Sequence, residues 1–263
     1  MHPPLYGVAT GPADKPAILF LHGFLGAHDE WAGFIEPLSA EYRCLAVDLP
    51  GHGKTPPCDD VGFYSFEGAA RAILDFLRSQ RVQRTHLVGY SMGGRLALYL
   101  AVHHPEVCDR LIIESSSPGL LSPGEAAERR AHDAKWAARF EREPLDAVVD
   151  DWYLQPLFAS LHDHPAAFAR LRARRLRNRP KEVGLSMRGM SVGAQEPLWD
   201  RLGALDREVV LVVGERDRKY RLVADRMSDL SARIQTVMVS GAGHNAHVEQ
   251  PDEFGRILRD AIQ

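Results

Sequence analysis

The chain is poor in cysteine, carries no long apolar run and has no marked excess of either charge. Three cysteines, Cys44, Cys58 and Cys108, stand far apart in 263 residues with no C-x-x-C pair. That number and spacing fit reduced thiols better than a disulfide framework or a zinc ribbon, which points to the cytoplasm. The apolar run Ala17–Leu21 is far too short to cross a bilayer, and Met1-His2-Pro3-Pro4 carries no basic leader, so neither membrane insertion nor export is expected. A formal net charge of −3 gives no global case for nucleic acid or an anionic lipid surface. Internal repeats, low-complexity tracts and linkers are also missing. Partners must therefore be argued from sites, and the sequence assigns no oligomeric state.

With 45% hydrophobic and 25% charged residues, the composition is that of a globular domain able to bury a sizeable core. Short β-rich runs at 17–21, 44–48, 86–90 and 111–113 alternate with helical patterns, among them residues 65–80, where Phe66, Ala69, Ala70, Ile73, Leu74 and Leu77 take helical spacing. This alternation predicts an α/β fold with a mostly parallel, doubly wound sheet and helices on both faces. From about residue 119 to 199 the strand pattern stops and only helical periods remain. Strand-like runs return at 209–213 and 236–239, with helices near 222–230 and at the C-terminal end. The reading is one structural unit, with residues 1–118 and 200–263 as the core and 119–199 as an inserted helical lid over the carboxyl ends of the strands.

The chemistry concentrates at Gly89-Tyr90-Ser91-Met92-Gly93-Gly94-Arg95, a G-x-S-x-G turn between a predicted strand and a predicted helix. Glycines at 89 and 93 let the chain turn sharply and lift the Ser91 hydroxyl above the sheet. A serine hydroxyl needs a histidine to take its proton and a carboxylate to orient that histidine. His244, after the strand at 236–239, and Asp217, after the strand at 209–213, supply both in the chain order Ser, Asp, His. His22-Gly23-Phe24 follows the first strand, where the Phe24 backbone N–H can join that of Met92 as an oxyanion hole. Arg95, four residues after the serine, is placed to share its pocket.

Other assignments compete. Ser91 can be a turn residue, Asp217 a helix cap and His22 a packed loop histidine, while Glu114 at another strand end is a rival acid. His244 and His247 have metal-pair spacing, but no further ligand stands at a recognised distance, so neither metal nor cofactor is called for. Residues 170–181 hold six arginines and Lys181 with no acid, a solvated face unless some of them, or Arg129 and Arg130, turn toward substrate carboxylates. Trp136, Trp152, Tyr153 and Phe158 can wall a pocket or simply pack.

These motifs resemble the 2-succinyl-6-hydroxy-2,4-cyclohexadiene-1-carboxylate (SHCHC) synthases of menaquinone biosynthesis, a branch of the α/β-hydrolase fold. The likeness runs through Leu21-His22-Gly23-Phe24, residues 47–53, the serine turn, Gly214-Glu215-Arg216-Asp217 and Gly243-His244-Asn245-Ala246-His247. It continues inside the lid in Ala127-Glu128-Arg129, Asp151-Trp152-Tyr153 and residues 155–161. The resemblance implies a carbon–oxygen lyase acting on a small polycarboxylate, with Ser91, His244 and Asp217 as the base. It further implies that Tyr90, Arg95, Arg129 and Trp152 contact substrate, together with a last lid arginine, for which Arg175 is the choice and Arg172 the runner-up. The competing activity is a serine hydrolase of the same fold, cleaving an anionic ester or a carbon–carbon bond of a ring-fission product. A dehalogenase would want an aspartate at 91, and a non-catalytic binder would be expected to lack a triad member.

Overall fold

The computed structural model describes residues 2–263. Seven strands, β1 (Gly7–Thr10), β2 (Ala17–Leu21), β3 (Arg43–Val47), β4 (Thr85–Tyr90), β5 (Cys108–Glu114), β6 (Val209–Gly214) and β7 (Ile234–Val239), form one sheet in the order β1-β3-β2-β4-β5-β6-β7. Every neighbouring pair is parallel except β1 with β3. The mostly parallel α/β sheet expected from the sequence is what forms. Strand β1 was not anticipated: four half-exposed residues on an edge carry no apolar alternation to read, and their place is set by pairing with β3.

Successive residues of a strand point to opposite faces, and here both faces are buried. Leu19 and Leu21 of β2 join Leu45, Val47 and Leu87 on one side, against α2 (Phe66–Ser79) and α3 (Met92–His103). Ile18 and Phe20 join Cys44, Ala46 and Val88 on the other, against α1 (Ala32–Leu38) and the C-terminal helix α10 (Pro251–Ile262). That two-sided burial is why these strands read as unbroken apolar runs. Helix α2 starts where Ser65 accepts a hydrogen bond from the Gly68 N–H, a side-chain cap that closes one orphan donor.

Strand β2 has β3 on one side and β4 on the other, so the connections that follow β2 and β4 diverge across the sheet. A crevice opens at such a reversal, beyond the carboxyl ends of the strands. Phe24 follows β2 and Ser91 follows β4, so both face this crevice. Between β5 and β6 lie α4 (Pro123–Arg142), α5 (Leu145–Tyr153), α6 (Pro165–Arg175), α7 (Pro180–Gly189) and α8 (Trp199–Leu202), with no strand among the described residues. These helices have their own apolar cluster, including Phe140, Val148, Trp152 and Met187, into which Leu25 of the core inserts.

Helix α3 sits hard against the end of β2. A Cβ at Gly93 would overlap the carbonyl oxygen of Leu21 and lie 2.5 Å from that of His22, both backbone atoms that cannot move aside. Gly93→Ala is expected to destabilise the protein by about 2 kcal/mol, as overpacking at rigid sites does. Urea unfolding measures this, and a midpoint equal to wild type would contradict it.

Candidate active site

The serine turn is strained. Ser91 adopts φ 49° and ψ −108°, the N-cap position of α3, and its N–H donates to the Glu114 carbonyl at 2.8 Å. A non-glycine residue keeps such a conformation only where the surroundings enforce it, which is common where a side chain must be presented. Its Oγ lies 3.2 Å from His244 Nε2, and His244 Nδ1 lies 2.7 Å from Asp217 Oδ2. Asp217 also accepts the Tyr220 N–H through Oδ1 at 3.2 Å, so it caps α9 (Arg218–Ser228) with one oxygen and holds the histidine with the other. The helix-cap and acid readings of Asp217 are thus compatible. This cap also explains why α9 begins four residues earlier than the apolar pattern implied.

Glu114, the rival acid, points elsewhere: its carboxylate meets His247 and not His244. His22 is fully buried, with Nε2 accepting from the Leu49 N–H at 3.0 Å and Nδ1 left to donate to the Gly23 carbonyl at 2.7 Å. Burial lowers its pKa from the ordinary value, so a neutral imidazole fixes the turn that carries Phe24. Among the described residues neither the Phe24 nor the Met92 backbone N–H meets a protein acceptor, and both residues line the same cavity. Met92 is the first residue of α3, so its amide also stands at the positive end of a helix dipole.

That cavity, about 550 Å³, also reaches Tyr90, Arg95, Arg129, Trp152, Phe158 and His244. Trp152 sets its ring edge-on to Phe24 at 5.2 Å and to Trp136 at 5.0 Å, which builds an aromatic wall. Arg129 is steadied by one bond from Nε to Asp133 Oδ1 at 2.7 Å, and Asp133 is held in turn by the Ser191 hydroxyl at 2.6 Å. Arg95 has no carboxylate partner among the described residues. Its guanidinium donates only to Gln195 Oε1 and the Met190 carbonyl, at 3.2 and 2.9 Å, and lies over the Phe66 ring. Burial pushes its pKa down to about 10, the mark of a cation without an anion.

The alpha/beta hydrolase fold family model matches residues 16–251. The 2-succinyl-6-hydroxy-2,4-cyclohexadiene-1-carboxylate synthase of Serratia proteamaculans (strain 568) is 38% identical over 254 residues, covering 96% of this chain and 95% of that protein. A protein of Bacillus subtilis (strain 168), named as a putative enzyme of the same kind, is 35% identical over 98% of this chain and 94% of its own length. The chain belongs to the SHCHC synthase family. A solved structure of MenH from S. aureus superposes with a TM-score of 0.91 at 29% identity, covering 98% of this chain and 97% of that one. An enol-lactonase from Burkholderia xenovorans LB400, at TM-score 0.82 and 19% identity, shares the fold.

For this SHCHC synthase family member, two sequence expectations about the lid need correction. Arg175 does not line the cavity: its side chain is wholly buried, gripping Glu30 through both terminal nitrogens at 2.6 and 2.9 Å and the Tyr153 hydroxyl through Nε at 2.9 Å. Arg172, the runner-up, pairs with Asp150 at the surface. Arg174 and Arg177 bind Asp29 and Arg179 donates to the Thr55 carbonyl, so the basic run fastens the lid to the core. Adjacent acids at Asp29-Glu30 were the one local signal for this. Lining residues that sequence reasoning missed include His132, Ser191, Arg216, Arg218, Lys219 and Tyr220. Arg218 and Lys219 occupy the first turn of α9, where the helix dipole disfavours cations.

His247, three residues after His244, sits buried between Glu114, 2.7 Å from Nδ1, and Glu30, 3.4 Å from Nε2. Tyr90 and Trp31 pack against its ring, and Arg175 lies behind Glu30. Desolvation opposes its charge, but the two carboxylates outweigh it and raise the pKa to about 9. Because the folded state holds this proton more tightly than the unfolded chain, the stabilisation is complete below about pH 6.5 and disappears as pH rises through 9. Up to about 3 kcal/mol is expected to be lost across that window. Thermal melting between pH 6 and 10 checks it; a midpoint that holds level through pH 9.5 would contradict it.

Proposed function

We propose that the chain is a carbon–oxygen lyase that eliminates pyruvate from 2-succinyl-5-enolpyruvyl-6-hydroxy-3-cyclohexene-1-carboxylate to give SHCHC. Ser91, with its proton passed to His244 and the imidazolium steadied by Asp217, takes the proton from the ring carbon beside the succinyl carbonyl. The electron pair moves onto that carbonyl oxygen, where the Phe24 and Met92 amides stabilise it. As the charge returns, a ring double bond forms, the carbon–oxygen bond to the enolpyruvyl group breaks, and enolpyruvate leaves to be protonated to pyruvate. No acyl-enzyme arises.

One observation carries this reading beyond a generic serine hydrolase: Arg95, one turn from Ser91, is a mostly enclosed guanidinium without a carboxylate. A neutral ester would leave it unmatched, whereas a polycarboxylate supplies the anion. Arg129, Arg218 and Lys219 in the same cavity favour the same substrate class. Tyr90 and Trp152 supply walls against which a ring can lie.

The test is pyruvate release, followed with lactate dehydrogenase, set beside hydrolysis of a neutral p-nitrophenyl ester. The lyase reading expects saturable pyruvate release and ester turnover at least 10²-fold slower, with no burst. A nitrophenol burst without pyruvate would establish the hydrolase instead.

A further inference from the structure

Four charged side chains run in a line under the active site, and the proposed elimination uses none of them. Arg175 closes onto Glu30, Glu30 meets His247, and His247 meets Glu114, with every one of these side chains at most 1% exposed. Burying four ionised groups is costly, and apolar residues of similar volume would often give equal or better stability. Such a network is best accounted for by something it holds in place.

What it touches decides the matter. The Glu114 backbone carbonyl accepts the Ser91 N–H at 2.8 Å, while its carboxylate accepts the His247 backbone N–H at 3.1 Å. One residue therefore fixes the nucleophile turn with its main chain and the loop of the triad histidine with its side chain. Tyr90, next to Ser91, lays its ring against both His244, at 5.5 Å, and His247, at 4.7 Å. Trp31 also stacks on His247, at 5.0 Å. At the far end, Arg175 is the last residue of lid helix α6, and Tyr153, which it also binds, ends lid helix α5. The network thus begins in the lid and ends at both members of the Ser91–His244 pair.

We infer that Glu114 and His247 are positioning residues that set the Ser91–His244 separation, and that Arg175 and Glu30 make that separation depend on the lid being seated. The inference rests on the triad reading of Ser91 and His244, but not on the identity of the substrate. Glu114→Gln keeps an acceptor for the His247 amide and removes the charge that holds the imidazole. Arg175→Lys keeps a lid cation but cannot grip Glu30 with two parallel bonds.

Two readouts test it. Reaction with diisopropyl fluorophosphate depends on Ser91 and His244 alone: Oγ bonds to phosphorus, fluoride leaves and His244 takes the proton. Steady-state pyruvate release gives kcat and KM separately. Glu114→Gln and His247→Asn are expected to slow both phosphorylation and kcat by about 10- to 100-fold, with KM within about 2-fold of wild type. Arg175→Lys is expected to slow both by about 3- to 10-fold, while Arg172→Ala, which breaks a surface pair on the same helix, changes neither. If Glu114→Gln and His247→Asn do not fold, Arg175→Lys carries the test. Folded variants that react with the fluorophosphate at the wild-type rate would overturn the inference. Should the wild type release no pyruvate while the variants still slow phosphorylation, the lyase reading fails and the network stands. Should Ser91→Ala leave wild-type labelling unchanged, the triad reading and the inference fall together.

Discussion

Ser91→Ala should lower kcat for pyruvate release by about 10³-fold and leave KM within a few-fold of wild type, because a positioned general base contributes about 10² to 10⁴. The split between the two constants follows from the geometry. The groups proposed to hold carboxylates, Arg95 and Arg129, make no bond to the Ser91 hydroxyl, whose partner among the described residues is His244 Nε2 at 3.2 Å. Residual rate should persist, because the Phe24 and Met92 amides still stabilise the oxyanion and water can serve as a poor base. His244→Ala should cost about as much, and the double variant little more than either single, since the two groups act as one unit. Fully additive losses would show that Ser91 and His244 work separately. Unchanged pyruvate release in Ser91→Ala would remove it from the mechanism.

The elements that made this site readable in the sequence are those whose role is settled locally. The serine turn and the acid each end a strand buried on both faces, and the histidine loop follows the edge strand β7, so a short β-rich run followed by a glycine-bearing loop marks all three. Arg95 was legible because helical spacing alone puts it one turn from Ser91. Arg175 was misread because its partner, Glu30, lies 145 residues away and is brought to it only by the packing of the lid on the core. A run of arginines without acids has the same local signature whether it faces water, substrate or a distant carboxylate. Lys219 escaped for a related reason: the α9 boundary drawn from apolar periodicity fell after it, and only the Asp217 cap places it inside the first helical turn. Glu114 was weighed as a triad acid from its strand-end position, yet a strand end fixes where a side chain starts and not which histidine it meets.

Arg95→Met should cut kcat/KM about 10²-fold, chiefly through KM, and should do so without loss of stability. Charge-assisted hydrogen bonds to a carboxylate are worth about 1.5 to 3 kcal/mol each, and about 3 kcal/mol in total corresponds to roughly 150-fold. The guanidinium now donates to one side-chain amide and one backbone carbonyl, so removing it strands no buried carboxylate. Its pKa, pushed down to about 10 by burial, means that folding works against the charge, which an apolar side chain of similar length relieves. Thermal melting of Arg95→Met should therefore match or exceed wild type, while Arg95→Lys should recover only part of the affinity, since an ammonium cannot present two parallel donors. A structural arginine would give the opposite pattern, a lower melting midpoint with KM unchanged. Turnover of a neutral p-nitrophenyl ester supplies the internal control: it should be the same in wild type and Arg95→Met, because that substrate offers the cation nothing to bind.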